Sequence, residues 1–294
     1  MKIIKKFYRI YLIVIILFSI YILLDTFVIV KEYKNVSETK TLVKNSETGN
    51  VNKSDYSYQD DNIKIELKEY QEYDTSIYVA DILLSDSSYL QTALANNKYG
   101  KNVTATTSTI ASGKNAILAI NGDFYGAQEY GYVLKQGVLY RSSAKTNQED
   151  LVIYEDGSWE FINESYVDID SLINKKAYNI LAFGPALIKD GSISVTTSSE
   201  VGKSMASNPR TAVGKIDDNH YVFVVSDGRT SNSVGLSLYQ LASFMKKIGV
   251  IDAYNLDGGG SSTMYFNGKI INNPTTTGNK ISERKVSDIL YVGY

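Results

Sequence analysis

The sequence predicts an α+β protein: a mixed β-sheet core flanked by a few helices and preceded by an N-terminal transmembrane helix. Three observations carry this prediction. Short apolar runs alternate with turn residues and predict strands, one capped segment has helical spacing, and a long apolar stretch lies near the N-terminus. Hydrophobic residues make up 44% of the 294 residues, which is ample for a buried core.

The apolar stretch predicts a membrane anchor at residues 7–30. It spans 24 residues, or about 36 Å as a helix, which is enough to cross a bilayer. Basic residues precede it, so residues 1–6 are predicted to be a cytoplasmic tail and the bulk of the chain to lie outside the cell membrane. No small-residue cleavage pattern follows, which favours an uncleaved single-pass anchor over a removed signal peptide.

A polar segment and then the folded part follow the anchor. Residues 31–61 are rich in Lys, Glu, Asn, Ser, Thr and Asp, and this composition is typical of a solvated tether. Residues 62–294 are predicted to form one domain. Alternation and turn signals predict its strands at Ile63–Leu67, Ile77–Leu84, Ala116–Ile120, Tyr132–Leu139, Leu151–Tyr154, Trp159–Ile162, Ala212–Ile216 and Tyr221–Ser226.

One helix and one hairpin are specified in detail. Ser237 and Gln240 form a capping box, apolar residues then recur at helical spacing, and Gly249 ends the helix. The apolar run 250–254 follows as a buried strand. Residues 264–271 predict a hairpin whose two-residue turn is Asn267-Gly268.

Composition excludes several classes of function. A formal net charge of −2 gives no signal for a nucleic-acid partner. Cysteine is absent, which favours a bacterial extracytoplasmic protein without disulfides. His220 is the only histidine, so multi-histidine metal sites are excluded and a Ser-His-Asp triad would have to use His220.

The segment 255–264, Asn-Leu-Asp-Gly-Gly-Gly-Ser-Ser-Thr-Met, is the most informative part of the chain. Glycines let backbone N–H groups approach a bound group, and successive N–H groups can form an anion-binding nest. Asp257 places a carboxylate beside this nest. The combination suits a substrate that carries both sugar-like hydroxyls and a phosphate.

Three further polar clusters lie at the ends of predicted strands. They are Asn121-Gly-Asp-Phe-Tyr125, Asn208-Pro-Arg-Thr211 and Asp227-Gly-Arg229. Polar residues just beyond buried strands are often gathered at one rim of a sheet, where ligands bind. Each cluster alone is equally consistent with an ordinary turn, whereas the four together favour one site.

Two further observations extend these motifs: Phe183-Gly-Pro185 is present, and the motif that starts at Asn208 continues as Asn-Pro-Arg-Thr-Ala-Val-Gly214. Together the motifs resemble those of the phosphodiester glycosidase family. The resemblance covers about residues 63–294 and keeps the order of the motifs. It implies hydrolysis of the bond between a sugar's anomeric carbon and a phosphodiester oxygen, here in a cell-wall or exopolysaccharide glycan. A carbohydrate phosphodiester is therefore the expected partner.

The resemblance and the residue chemistry together predict the roles in the site. Asp257 is the expected base or nucleophile and Asp123 its partner, because glycoside hydrolysis generally uses two carboxylates. Arg210 offers a planar fork for phosphate oxygens. The other predicted substrate-binding residues are Asn121, Asp227, Arg229, Asn255, Gly258, Gly259, Gly260, Ser261, Ser262 and Arg284.

Alternatives remain open at this stage. No cofactor is required, but Ca²⁺ or Mg²⁺ would suit a metal-dependent phosphodiesterase with Asp123, Asp227 and Asp257 as ligands. A non-catalytic glycan-binding wall protein would retain the same site, and a serine hydrolase would use Ser261 or Ser262. Tyr125 is expected either to stack on a sugar ring or, more often for such a residue, to pack in the core.

Overall fold

The structure is a computed structural model that describes residues 2–35, 42, 51–199, 207–277 and 280–294. Its α-helices are α1 (Lys2–Phe27), α2 (Thr107–Gly113), α3 (Ile169–Asn174) and α4 (Leu238–Lys247). Short 3₁₀ helices lie at Ser87–Tyr89, Ala95–Asn97, Tyr125–Ala127 and Gly259–Ser261.

The strands account for most of the remaining regular structure. In chain order they are β1 (Lys31–Asn35), β2 (Asn52–Lys53), β3 (Ser57–Gln59), β4 (Ile63–Glu72), β5 (Thr75–Leu84), β6 (Leu90–Leu94), β7 (Lys98–Lys101), β8 (Leu118–Asn121), β9 (Val133–Lys135), β10 (Val138–Arg141), β11 (Glu149–Tyr154), β12 (Trp159–Asn163), β13 (Ala177–Leu181), β14 (Ala186–Lys189), β15 (Ser192–Ile193), β16 (Arg210–Asp217), β17 (His220–Ser226), β18 (Asp252–Leu256), β19 (Met264–Phe266), β20 (Lys269–Ile270), β21 (Thr275–Thr277), β22 (Lys280–Ile281) and β23 (Asp288–Val292).

Two large sheets pack face to face. The larger has nine strands in the order β15-β14-β18-β16-β17-β5-β4-β3-β2, and the smaller has five in the order β20-β19-β8-β23-β6. Strands β12-β11-β13 form a third sheet. The main core lies between the two large sheets, where apolar residues of both meet, such as Ile82, Phe223, Ile120 and Leu290. Burial of such side chains is the dominant stabilising contribution to the fold.

Each large sheet is covered on its other face. Residues of α4, including Leu241 and Met245, pack on the outer face of the nine-stranded sheet. Residues of α2, including Ile110, pack on the outer face of the five-stranded sheet. The result is a four-layer arrangement of helix, sheet, sheet and helix, which confirms the predicted class of sheets flanked by few helices. Among the described residues, the strand pairs all run antiparallel.

The predicted helix and hairpin are present. Ser237 Oγ accepts a hydrogen bond from Gln240 N at 3.1 Å, and Gln240 Oε1 accepts one from Ser237 N at 2.8 Å. These two bonds satisfy N–H groups that the first helical turn leaves unpaired. Asn267 and Gly268 have φ values of 46° and 87°, as a two-residue hairpin turn between β19 and β20 requires.

Other strand predictions need correction. Residues 132–139 form a hairpin rather than one strand, because Gln136 and Gly137 turn the chain with φ values of 50° and 71°. The strand predicted at 116–120 begins later, at Leu118. Strands β6 and β23 were not predicted, although they pair along their whole length in the five-stranded sheet.

The N-terminal helix is long and apolar enough to cross a membrane. Its apolar part, Phe7–Phe27, has 21 residues and a mean hydropathy of 2.5, and none of it is buried against the rest of the chain. The predicted span at 7–30 thus corresponds to a helix that ends slightly earlier.

The predicted tether at residues 31–61 is folded at both ends. Strand β1 pairs with β7, and β2 and β3 extend the nine-stranded sheet. Tyr58 in β3 is fully buried. Residues 36–41 and 43–50 of this segment lie outside the described residues. Because β3 contributes to the core, the folded part starts before the predicted boundary at residue 62.

Candidate active site

A polar crevice of about 470 Å³ opens where the four motif clusters meet. Arg210 begins β16, and it pairs with Ser226 at the end of β17. Leu256 at the end of β18 pairs with Thr211, so the Asp257 loop leaves the sheet at the same edge. The crevice is lined by Phe124, Gln128, Lys145, Phe183, Asn208, Arg210, Arg229, Asp257, Gly258, Gly259 and Arg284.

Asp257 is the acidic side chain of this crevice. Its Oδ2 accepts a hydrogen bond from Ser261 Oγ at 2.6 Å, and Arg284 Nη2 lies 3.2 Å from the same oxygen. Arg284 also donates to Ser261 Oγ from Nε at 2.9 Å and from Nη2 at 2.7 Å. Burial raises the pKa of Asp257, and Arg284 and Ser261 oppose that shift. The carboxylate is thus desolvated but held in one orientation.

Arg210 and Arg229 are both fixed by neighbouring groups. Arg210 is buried, and its Nε donates to the carbonyl of Leu236 at 2.8 Å. Arg229 donates to Asn208 Oδ1 from Nε at 3.2 Å and from Nη2 at 3.1 Å. Such contacts remove side-chain freedom before a ligand binds, which lowers the entropic cost of binding.

The crevice is strongly cationic. Among the residues that the structure describes, its lining contains one carboxylate and four cationic side chains, Lys145, Arg210, Arg229 and Arg284. Burial and then the nearby Arg284 charge lower the pKa of Arg229, because the two guanidinium groups repel each other. Cationic groups gathered at this density favour a bound anion, and planar guanidinium groups match phosphate oxygens.

Two N–H groups of the glycine loop are hydrogen-bonded within the protein. The N–H of Gly259 donates to the carbonyl of Pro209 at 2.8 Å, and that of Ser261 donates to the carbonyl of Gly258 at 3.3 Å. The predicted backbone nest, and the predicted substrate contacts of Gly258, Gly259 and Gly260, stay predictions. Glycine is nevertheless required at position 259, where φ is +61° and a Cβ would lie 2.8 Å from Arg229 Nη2. At Gly260 the reason is close packing alone, because a Cβ there would lie 2.8 Å from the Cα of Thr276.

Asn121 and Asn255 lie behind the loop and position it. Asn121 donates to the carbonyl of Asp257 at 2.6 Å and accepts from Thr211 Oγ1 at 2.8 Å. Asn255 donates to the carbonyl of Gly184 at 2.8 Å. Both residues, and Ser262, are buried. Their predicted substrate-binding roles stay predictions, and their contacts fit support of the Asp257 loop.

Asp227 is also turned into the protein. Its Oδ1 accepts from Asn273 N at 2.8 Å and from Asn272 Nδ2 at 3.2 Å, while Oδ2 accepts from Asn273 Nδ2 at 3.0 Å. It does not line the crevice. Its contacts fix residues 272–273, and its predicted contact with a substrate stays a prediction.

Asp123 belongs to a buried charge cluster beneath the crevice. Its Oδ2 accepts from Lys135 Nζ at 2.8 Å and from the backbone N–H of Ala182 at 3.2 Å, and its Oδ1 accepts from Tyr125 N at 3.0 Å. Lys135 Nζ also lies 2.7 Å from Asp288 Oδ2. Asp123 is absent from the crevice lining, so its predicted role as second catalytic carboxylate stays a prediction, and its contacts fit a positioning role.

Replacing Lys135 by Met is expected to destabilise the fold strongly. The lysine is the cation of this cluster, and its loss would leave the buried Asp123 and Asp288 without a counter-ion. Breaking a buried pair in this way costs about 3–5 kcal/mol. Urea unfolding of the variant checks the value, with Lys175→Met, in an exposed pair with Glu160, as the control. A cost equal to that of the control would contradict the assignment.

The same cluster predicts a pH dependence of stability. Burial, and after it the Asp123 charge, raise the pKa of Asp288 to about 7 from the usual 3.8. The folded chain therefore holds this proton more tightly than the unfolded chain, and the free energy of unfolding should fall as pH rises between about 4 and 7. Asp288→Asn should flatten that part of the curve. Urea unfolding at pH 5 and pH 8 tests this, and parallel curves for both proteins would rule it out.

The structure corrects two alternatives drawn from the sequence. Within the described residues, no three Asp, Glu or His side chains come together as metal ligands, so Asp123, Asp227 and Asp257 do not form one ligand set. His220 contacts Asp81 at 2.7 Å, at the opposite end of β17 from Ser226. His220 and Ser226 are six positions apart along an extended strand, or about 20 Å. His220 is therefore too far from Ser261 to form a catalytic triad with it.

Five residues of the crevice were not predicted to line it. Phe124, Phe183 and Asn208 lie inside the sequence motifs described above, whereas Gln128 and Lys145 lie in two separate loops, before β9 and after β10. Lys145 Nζ donates to Gln128 Oε1 at 2.8 Å. Tyr125 packs in the core, with 1% of its surface exposed and its ring centroid 5.5 Å from that of Tyr99. Its neighbour Phe124 faces the crevice instead.

Known proteins share sequence and fold with this chain. The sequence profile of the phosphodiester glycosidase family matches residues 114–293. The chain is 33% identical over 201 residues to the SPbeta prophage-derived uncharacterized protein YomE of Bacillus subtilis, a match that covers 67% of the chain. It is 28% identical over 175 residues, 54% of the chain, to mouse N-acetylglucosamine-1-phosphodiester alpha-N-acetylglucosaminidase. The two matches cover 31% and 33% of these relatives, so the chain spans about a third of their length.

The fold has a counterpart of known structure. The catalytic domain of zebrafish N-acetylglucosamine-1-phosphodiester alpha-N-acetylglucosaminidase, auto-inhibited by its pro-peptide, superposes with a TM-score of 0.64. The match covers 87% of this chain and 88% of the other at 20% identity. At that identity the comparison shows the fold alone.

Proposed function

This chain belongs to the phosphodiester glycosidase family, and on that basis we propose that it is a membrane-anchored extracytoplasmic hydrolase of sugar 1-phosphodiesters. The bond cleaved joins the anomeric carbon of a sugar to a phosphodiester oxygen. The substrate class we assign is a glycan of the cell wall or of an exopolysaccharide.

One observation carries the proposal: a single oriented carboxylate faces four cationic groups in one crevice. A sugar 1-phosphodiester presents the complementary pair of features, an anomeric carbon that becomes positive in the transition state and an anionic leaving group. Arg210, Arg229 and Arg284 would bind the phosphate. Asp257 would then lie on the side of the anomeric carbon.

The chemistry requires only one carboxylate at the reacting carbon. Asp257 acts on the anomeric carbon as nucleophile, or as the base that takes a proton from the attacking water. The C1–O bond breaks, and its electron pair leaves with the phosphate oxygen. Since a phosphate is a weakly basic leaving group, it needs no strong general acid, and the guanidinium groups stabilise the charge that develops on it. The absence of Asp123 from the crevice lining is consistent with this division of roles.

Localisation is the second part of the proposal. The N-terminal helix is apolar over 21 residues, which is the length needed to span a bilayer. The basic residues before it would remain in the cytoplasm and place the folded part outside. Its topology can be tested by protease protection of right-side-out vesicles.

Turnover of defined substrates tests the activity. The full-length protein in detergent should release free sugar from an N-acetylglucosamine 1-phosphodiester or a related sugar phosphodiester. In ¹⁸O-water the label should enter the sugar, because the C1–O bond breaks. Label in the phosphate would indicate a phosphodiesterase, and no release across a broad panel of sugars would refute the activity.

A further inference from the structure

One side of the crevice lies on a segment that contacts the residues holding the end of the N-terminal helix. In residues 124–130, Phe124 and Gln128 line the crevice. The other side of this segment faces β7. The carbonyl of Gly126 accepts from Asn102 N at 3.1 Å, and Glu129 lies 3.4 Å from Lys101 Nζ.

Lys101 and Asn102 in turn contact the end of α1. Lys101 Nζ lies 3.7 Å from Asp25 Oδ2. Asn102 Nδ2 donates to the carbonyls of Thr26 and Ile29 at 3.2 Å and 3.0 Å. The Thr26 carbonyl is one that the last helical turn leaves without an intrahelical partner, and Ile29 lies two residues beyond the end of the helix. Strand β1 then continues directly into pairing with β7, with Lys31 opposite Lys101.

A second connection joins the same two regions. Ala105, three residues after Asn102, forms backbone hydrogen bonds with Val286 at 2.8 Å and 3.1 Å. Val286 lies two residues from Arg284, which faces Asp257 in the crevice. The side of the crevice that carries Phe124 and the side that carries Arg284 are therefore both hydrogen-bonded to the segment just after β7, which contacts the end of the helix.

These contacts place the crevice close to the membrane. Gln128 and Glu129 are adjacent in the chain, and two ion-pair contacts lead from Glu129 through Lys101 to Asp25. At about 3.5 Å per residue of chain and one side-chain length per contact, this path is on the order of 15–20 Å long, and it is an upper limit to the distance between the crevice and the end of the apolar span. Because the polar interface of a bilayer is itself about 5–8 Å deep on each side, the crevice lies no more than about 15 Å above the headgroups.

Exposed aromatic rings lie on the same segment. Phe124 and Tyr130 expose 42% and 60% of their surfaces. Aromatic residues, Tyr and Trp above all, are enriched at the level of the lipid headgroups, where one end of the ring is apolar and the other wet. Phe124 thus offers an exposed aromatic ring at the crevice itself, and Tyr130 a second one six residues later.

From this placement we infer that the substrate is a membrane-bound precursor of such a glycan, a sugar 1-phosphodiester whose second ester group is the alcohol of a membrane lipid. This deepens the proposed function and rests on it. Water adds its oxygen to the anomeric carbon, the C1–O bond breaks, and the electron pair leaves with phosphate. The products are free sugar, a lipid phosphate monoester that stays in the bilayer, and one proton.

The test compares two substrates that differ only in the second alcohol. The full-length protein is reconstituted in phosphatidylethanolamine–phosphatidylglycerol vesicles with the hexadecyl or the methyl phosphodiester of N-acetylglucosamine 1-phosphate. The variant Lys101→Ala/Asn102→Gly removes the contacts to Asp25, Thr26 and Ile29, and glycine keeps the positive φ of 58° at position 102. Turnover of the hexadecyl substrate should fall about tenfold, because the crevice is no longer held close to the lipid surface, while turnover of the methyl substrate should stay within twofold.

A matched control repeats both chemical changes away from the helix. Lys175→Ala/Asn219→Gly breaks an exposed ion pair and replaces an Asn with φ of 56°. It should leave both substrates unaffected. Hydrolysis of the methyl substrate with no selective loss on the hexadecyl substrate would overturn the lipid assignment alone. Failure of the native protein to release sugar from either substrate would overturn the proposed function and this inference with it.

Discussion

Replacement of Asp257 by Asn should lower kcat/KM for a sugar 1-phosphodiester by about 10³–10⁴-fold, the size of effect seen when a residue that acts on the reacting atoms is removed. The amide has the shape of the carboxylate but neither its negative charge nor its basicity. It can still accept the hydrogen bond from Ser261 Oγ, which is 2.6 Å from Oδ2 in the native chain. The crevice should therefore keep its geometry, and binding of a sugar 1-phosphate should be equal to or tighter than in the native protein.

The melting temperature distinguishes a loss of catalysis in Asp257→Asn from a loss of folding. Burial raises the pKa of Asp257, so the charge is held at some cost to the folded state. Asp257→Asn should consequently melt at the native temperature or slightly above it. Asp218→Asn, at a side chain that is 94% exposed, serves as the control and should leave both rate and melting temperature unchanged. An Asp257→Asn protein that keeps full activity would refute the catalytic assignment. A native chain that binds the glycan without hydrolysing it would instead favour a glycan-binding module.

The location of the site was predictable from the sequence because its motifs end strands. Arg210 and Asp257 follow or begin runs of buried apolar residues, and the antiparallel pairing of β16 with β17 and β18 brings these ends to one edge. Glycines at 258–260 marked the tight loop correctly. These glycines also allow close packing against Pro209, Arg229 and Thr276, which the sequence alone does not predict.

Which side chains face the crevice could not be derived in the same way. Successive side chains of an extended chain point to opposite sides. In the motif after β8, Phe124 lines the crevice whereas Asp123 turns to Lys135. Both orientations fit the same sequence pattern, and only the position of Lys135, on a hairpin whose turn was missed, distinguishes them.

Long-range pairing explains the remaining omissions. Leu94 of β6 pairs with Asp288 of β23, almost two hundred residues later. Neither strand has a clear period-two pattern, because nearly every residue of both is buried. Lys145 reaches the crevice from a loop held by Glu164, whose Oε2 accepts from the backbone N–H of Lys145 at 2.6 Å. No local sequence pattern predicts a contact of this kind.

Arg210→Lys is the second substitution for which we expect a large loss, about 10²-fold in kcat/KM. The Arg210 side chain is 3% exposed, and its Nε donates to the Leu236 carbonyl at 2.8 Å. A planar guanidinium can keep that bond and still direct its other N–H groups at phosphate oxygens. A lysine keeps the charge, but its single nitrogen cannot occupy the positions of all the guanidinium nitrogens. The variant should therefore lose one or two charge-assisted hydrogen bonds of about 1.5–3 kcal/mol each.

Calorimetry with two ligands makes the prediction for Arg210 specific. The Kd for a sugar 1-phosphate should rise about 100-fold in the variant, by the same loss of charge-assisted bonds, whereas the Kd for the free sugar should not change. A general distortion of the crevice would weaken both ligands alike, and phosphate recognition elsewhere would weaken neither. Since Arg210 begins β16 beside the Asp257 loop, a selective loss would also locate the phosphate at the end of the sheet, with the anomeric carbon between it and Asp257.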